Sequence, residues 1–148
     1  TFVTSTFWTE KIGPVAALAT VAKMKKYNVP AHLKNIGRRI QAGWKSLAIK
    51  HGLKIIVGEG TEVMPEFTFD YGDQKQAIRT LYTQTMLDKG FLDVACVYVS
   101  YAHKEAHIKK YLKAVDAAFA FMVKTINEGR VMDALRGPVA MNRFTRIS

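Results

Sequence analysis

The sequence predicts an α/β (α+β) fold in which helices pack on one face of a small, mainly antiparallel sheet. Three observations lead there. Apolar residues recur at helical spacing in long segments towards both ends, short alternating runs lie between them, and glycine, proline or asparagine marks the changes of pattern. With 148 residues, 49% of them hydrophobic, the chain is long enough to bury one core.

A first helix is expected to start between Thr9 and Pro14 and to continue through "VAALATVAKMKKY". Thr9 can cap it, and Pro14 is tolerated in the first turn, where its missing N–H would be unpaired anyway. Asn28 and Pro30 break this helix, because proline disfavours helical geometry in the residue before it and presets a new start. A second helix runs to about His51, with Leu33, Ile36, Ile40, Trp44 and Leu47 on one face and Gly52 as its stop. "LKIIVG" and "MPEFTFDYGD" read as two strands joined by a turn at Gly58 and Gly60. Phe67, Phe69 and Tyr71 alternate with polar residues, so they make a core stripe opposite one wet face. Asp73 is expected to cap a third helix over "QAIRTLYTQTMLDK", ended by Gly90, and "FLDVACVYVS" reads as a third, mostly buried strand. The last long helix, from about His103 to Asn127, carries Ile108, Leu112, Val115, Phe119, Met122 and Ile126 on one face, with Gly129 as its stop. A helical turn, "VMDALR", then precedes an exposed tail, "GPVAMNRFTRIS".

Composition narrows the function classes. No run approaches the apolar length of a membrane span and no secretory pattern opens the chain, so a cytoplasmic location is expected. Cys96 is the only cysteine, which rules out an intramolecular disulfide and a cysteine-based metal cluster and leaves a buried, inert thiol. The net charge of +10 invites a nucleic-acid reading. However, the basic residues are spread over "KMKK", "KNIGRR", "KEAHIKK" and "RFTR", with no aromatic-interleaved stacking strand. A solvated surface, or one that docks an acidic partner, is expected instead.

Catalysis needs groups that converge. His103 and His107, four apart, could meet on one helix face as in metal sites, but Glu105 is one place from the metalloprotease order and no third ligand is evident; they read as polar helix residues. His32 and His51 fall at helix ends, where surface or capping roles are expected. Gly58 and Gly60 join two strands rather than open a helix, so they are turn glycines and not a dinucleotide fingerprint. Asp70, Asp73 and Asp88 fit caps at element ends. Capping alone does not exhaust the opening stretch: Thr4, Ser5, Thr6 and Thr9 crowd in front of a helix start, where unpaired N–H groups and the helix dipole favour a phosphate or carboxylate.

"STFWTEKIGPVAALAT" resembles the segment of class III (fold type I) pyridoxal-phosphate aminotransferases in which a threonine and a short polar loop lead into an alanine-rich helix. "MLDKGFLDVACVYVSYAHKEAHIKKYLKAVDAAF" is similar to the end of the same family, especially its glutamate-1-semialdehyde 2,1-aminomutase branch, where a Ser-x-x-His pattern, here Ser100 to His103, precedes the final helix. The resemblance covers essentially the whole chain. It implies that Thr6, with Ser5 as a second donor, reaches the phosphate of pyridoxal 5'-phosphate, commonly that of the neighbouring subunit in a homodimer. It also implies residues 1–27 as the loop and helix ending the cofactor-binding large domain, residues 28–148 as the C-terminal small domain, and a small-molecule amino substrate. Two positions depart from the family pattern: Trp8-Thr9-Glu10-Lys11 stands where members commonly carry Ser-Gly-Asn-Pro, and Lys104 stands where a threonine follows the histidine, which removes the expected cap of the last helix. The family's Schiff-base lysine lies upstream of the threonine, and no lysine precedes Lys11 here. The chain is therefore expected to be one portion of a longer enzyme, an aminotransferase or aminomutase, and inactive alone. The alternatives are a stand-alone basic α/β interaction module that binds nucleic acid or an acidic protein, and a degenerate regulatory subunit that completes a partner's site with Thr6.

Overall fold

The computed structural model describes residues 10–60 and 62–141. Four helices and one small sheet make up its regular structure, in the order α1 (Ile12–Lys26), α2 (Val29–His51), β1 (Ile55–Val57), β2 (Phe67–Phe69), α3 (Lys75–Asp88) and α4 (Glu105–Asn127). Helix α1 begins at the expected place, with Lys11 at its N-cap and Pro14 in its first turn. Thr9, the expected cap, lies outside the described residues. Asn28 ends α1 in the left-handed conformation, at φ 46°, and Pro30 sits in the first turn of α2. Gly52, also left-handed, closes α2 and returns its N–H to the carbonyls of Ala48 and Ile49.

The buried stripe of α2 is Ile36, Ile40, Trp44 and Ala48, with Leu33 and Leu47 at its margins. It packs against the stripe of α4, in which Ile108, Val115, Phe119 and Met122 are buried and Leu112 and Ile126 are half-buried. The two helices run in the same direction, since His32 reaches His103, Arg39 reaches Glu105 and His51 reaches Asp116. Close approach here depends on glycine. A methyl on Gly43 would stand 2.6 Å from the Leu112 side chain, and one on Gly37 would stand 1.5 Å from the carbonyl oxygen of Glu62.

Strands β1 and β2 pair antiparallel with Ile55 opposite Phe69 and Val57 opposite Phe67. Phe67 and Phe69 point into the helical layer, where Phe67 makes edge contacts with Trp44 at 4.8 Å and with Tyr82 at 5.4 Å between ring centroids. Thr68 and Ile56 face the other side and are exposed. Helices therefore cover one face of the sheet, as the alternation implies.

Two expectations need correction. "FLDVACVYVS" is not a regular strand: it lies antiparallel beside residues 63–67, bonded from Phe67 N–H to Ala95 O, Val97 N–H to Pro65 O and Val99 N–H to Val63 O, with one bridge at Glu66 and Cys96. Ala95 is left-handed at φ 67°, and Pro65 brings no N–H, so the ladder is interrupted on both sides. The segment is half-buried rather than mostly buried, and so is Cys96. Second, Asp73 falls inside a 3₁₀ turn, Gly72–Gln74, and Gln74 is the residue at the N-cap of α3, so Asp73 does not cap that helix. The described part of the tail is exposed as expected, apart from half-buried Val139, and it lies along α3. Ala140 accepts from the Gln76 side-chain amide at 2.7 Å and donates its N–H to Thr80 Oγ1 at 3.1 Å.

Candidate functional site

Ser5 and Thr6, the sequence's candidates for a phosphate contact, lie outside the described residues, together with Thr4 and Thr9. The helix into which they lead is described. Helix α1 buries none of its residues: Ile12, Val15 and Leu18 are 77%, 61% and 73% exposed, although residues 12–22 carry no charge and only Thr20 among them is polar. An apolar helix of that kind is normally covered on most of its surface. Its N-terminal turn contains no acidic side chain, although Glu10 precedes the N-cap, and among the described residues no side chain caps it. The leading N–H groups of a helix have no partner within it, so this end is chemically suited to an anion.

The second group of candidates surrounds the start of α4. Ser100 donates its N–H to His103 Nδ1 at 2.9 Å, and Lys104 donates its N–H to His107 Nδ1 at 3.2 Å. A ring nitrogen that accepts an N–H holds a lone pair, so each neutral imidazole carries its proton on Nε2. These rings present donors where a metal needs lone pairs, and among the described residues no group of three or more His, Cys, Asp or Glu could hold a metal ion. His107 also supplies the cap that Lys104 cannot, by taking up the backbone N–H that precedes the helix. His32 places Nε2 2.9 Å from the His103 carbonyl and its ring edge-on to Tyr101. His51 is more than a helix-end residue, because its Nε2 lies 2.6 Å from Asp116 Oδ1. Lys50 meets both oxygens of that carboxylate at 2.8 Å, and the Lys50 and His51 hydrogen bonds hold the Asp116 carboxyl below the usual range.

Between the start of α4 and the segment 91–100 lies an open groove of about 650 Å³, lined by Phe91, Leu92, Tyr98, His103, His107 and Lys110 among others. At its floor is a buried polar network absent from the sequence expectations. Asp93, 3% exposed, accepts the hydroxyls of Tyr82 at 2.5 Å and Tyr111 at 2.6 Å on Oδ2 and the N–H of Ala95 at 2.8 Å on Oδ1. The Trp44 indole N–H donates to the Tyr111 hydroxyl at 2.9 Å. Burial raises the Asp93 pKa against the lowering effect of these donors, and burial drives the Tyr111 and Tyr82 phenols well above their ordinary range. The network fixes the left-handed turn at Ala95, and thereby the wall shared by the groove and the uncovered sheet face. A signal was available: an aspartate inside an apolar run, with tyrosines on the inward faces of two helices.

No protein-family model matches the chain. Among curated proteins it is similar to glutamate-1-semialdehyde 2,1-aminomutase of Clostridium beijerinckii, 30% identical over 68% of this chain and 27% of that protein. The same enzyme from Clostridium perfringens is 30% identical over 69% of this chain and 27% of its own length. The chain belongs with the C-terminal regions of the glutamate-1-semialdehyde 2,1-aminomutases. This aminomutase-related chain spans about a quarter of the curated relatives it matches. Its fold also recurs in a solved structure, the PLP internal aldimine form of the FumI protein of Sphingopyxis sp. MTA144. That match has a TM-score of 0.74 at 24% identity and covers 86% of this chain and 31% of the other. The Ser100 to His103 pattern used to recognise the family is thus a turn, in which His103 N–H returns to Ser100 O at 3.1 Å while Ser100 N–H meets the imidazole.

Proposed function

We propose that this chain is the C-terminal portion of a class III pyridoxal-phosphate-dependent aminotransferase or aminomutase, a cytoplasmic homodimer acting on an amino acid or a related amine. The observation that carries the proposal is the match to the aminomutases over 68–69% of the chain. The uncovered helix α1 supports it, because the remaining three-quarters of such a polypeptide supplies the missing cover. Residues 1–27 then end the large domain and residues 28–148 form the small domain. Consistent with that boundary, the buried core begins at Val29, directly after the left-handed Asn28. A self-contained basic module leaves the exposure of Ile12, Val15 and Leu18 without a purpose.

In this reading Thr6 and Ser5 give hydroxyl donors to the cofactor phosphate, and the first turn of α1, which holds no acidic side chain, adds backbone N–H groups and dipole charge of the right sign. When bound, pyridoxal phosphate supplies an electron sink for charge that develops on the carbon bearing the amine. The chain's own contribution is to orient that group and wall the site. The lysine that holds the cofactor covalently belongs upstream, since none precedes Lys11, and the 148-residue chain is inactive alone. The full-length polypeptide tests this. It is expected to show the visible absorbance of bound pyridoxal phosphate and to transfer or shift an amino group, and Thr6→Ala is expected to weaken cofactor binding by roughly tenfold or more, the worth of one hydrogen bond to a charged group. A full-length protein that binds no pyridoxal phosphate refutes the proposal.

A further inference from the structure

The groove at the start of α4 is not part of the proposed cofactor contact, and its chemistry is specific. His103 and His107 each spend Nδ1 on a backbone N–H, so each keeps an Nε2–H donor without a partner within the described residues. Their rings stand edge to face with centroids 6.5 Å apart, so the two donors belong to one neighbourhood of the groove. Lys110 lies one helical turn beyond His107, lines the same groove and makes no ion pair within the described residues. The acidic groups nearby are already engaged: Asp93 by two phenols and a backbone N–H, and Glu105 by Arg39 at 2.9 Å and Lys109 at 3.4 Å. The segment 91–100 contributes Phe91, Leu92 and Tyr98 to the same lining. Three donor-bearing side chains that share a lining of about 650 Å³ with Phe91, Leu92 and Tyr98 suit one kind of guest, an anion with a hydrophobic body.

We propose that this groove binds the carboxylate of a small organic acid with an aromatic or branched apolar body, held by His103, His107 and Lys110. Such binding draws only on side chains of this chain and is independent of the cofactor reading.

Calorimetric titration of the full-length polypeptide with phenylacetate and with phenylacetamide tests it. Phenylacetate is expected to bind in roughly the millimolar range, and the neutral amide, which offers no charge to the donors, about tenfold more weakly. His103→Asn and His107→Asn are the informative variants, because an asparagine oxygen can replace Nδ1 as the backbone acceptor while the Nε2–H donor is lost. Each, and Lys110→Gln, is expected to weaken phenylacetate binding by about five- to tenfold with an unchanged unfolding midpoint. Equal binding of acid and amide overturns the proposal. So does phenylacetate binding that survives all three substitutions, which places the ligand elsewhere, and so does the absence of binding.

Discussion

Replacing Tyr111 by phenylalanine removes one oxygen and breaks two interactions. The Tyr111 hydroxyl donates to Asp93 Oδ2 at 2.6 Å and accepts the Trp44 indole N–H at 2.9 Å. Loss of a bond to a buried carboxylate costs about 1.5–3 kcal/mol. Trp44 is fully buried, so its N–H is left with no acceptor and adds about 1–3 kcal/mol. Tyr82→Phe is the natural comparison, because its hydroxyl donates to the same oxygen at 2.5 Å but does not receive the indole. The expected order is therefore Tyr111→Phe above Tyr82→Phe, at roughly 2.5–6 against 1.5–3 kcal/mol. Urea unfolding of the full-length polypeptide, read from the transition that includes Trp44, measures both as midpoint shifts at constant slope. Equal midpoints for the two variants would show that the indole bond contributes nothing, and the reasoning fails.

The same network predicts a pH response. Burial raises the Asp93 pKa above its unfolded value, so the folded state holds the proton more tightly. Its contribution is fully present below about pH 4 and is lost as pH rises through the raised value. Asp93→Asn should flatten that slope in a stability-versus-pH series, and an unchanged slope counts against it. Gly37→Ala should destabilise by about 1–3 kcal/mol or more and exceed Gly43→Ala, because the first methyl meets backbone and the second meets the movable end of Leu112; chemical unfolding ranks them, and the reverse order contradicts the geometry. Leu18→Glu should leave the unfolding midpoint of the 148-residue chain within about 0.5 kcal/mol, since Leu18 is 73% exposed there. In the full-length polypeptide it should reduce soluble yield and thermal stability, and no difference between the two settings refutes a buried α1.

Helices were legible because their signals are local. The stripes of α2 and α4 and the stops at Gly52, Gly90 and Gly129 follow from spacing and from residues that tolerate positive φ. The third strand was misread because β-branched alternation reports only the strand's own preference, whereas its ladder depends on Pro65, some thirty residues away, and on the turn that Asp93 imposes at Ala95. Asp73 looked like a cap, but the 3₁₀ turn moves the start of α3 beyond it. The histidines were placed correctly near the start of α4. Their tautomers were not readable, because those depend on which backbone N–H each ring meets. Asp93 was missed for a similar reason: its three donors come from α3, α4 and its own turn, and only the fold brings them together.

The pairing of α2 with α4 has a consequence for biosynthesis. Contacts such as His32 with His103 and Arg39 with Glu105 join residues 71 and 66 positions apart. The core cannot close over Ile40 and Trp44 until α4 has left the ribosome, so a nascent chain stalled within α3 carries these side chains in water and is a target for chaperones and proteases. Helix α1 emerges earlier and finds no cover in the helices and strands translated after it. In the proposed reading that shelter is the large domain, made before α1, so synthesis from N- to C-terminus would have the cover waiting when α1 appears.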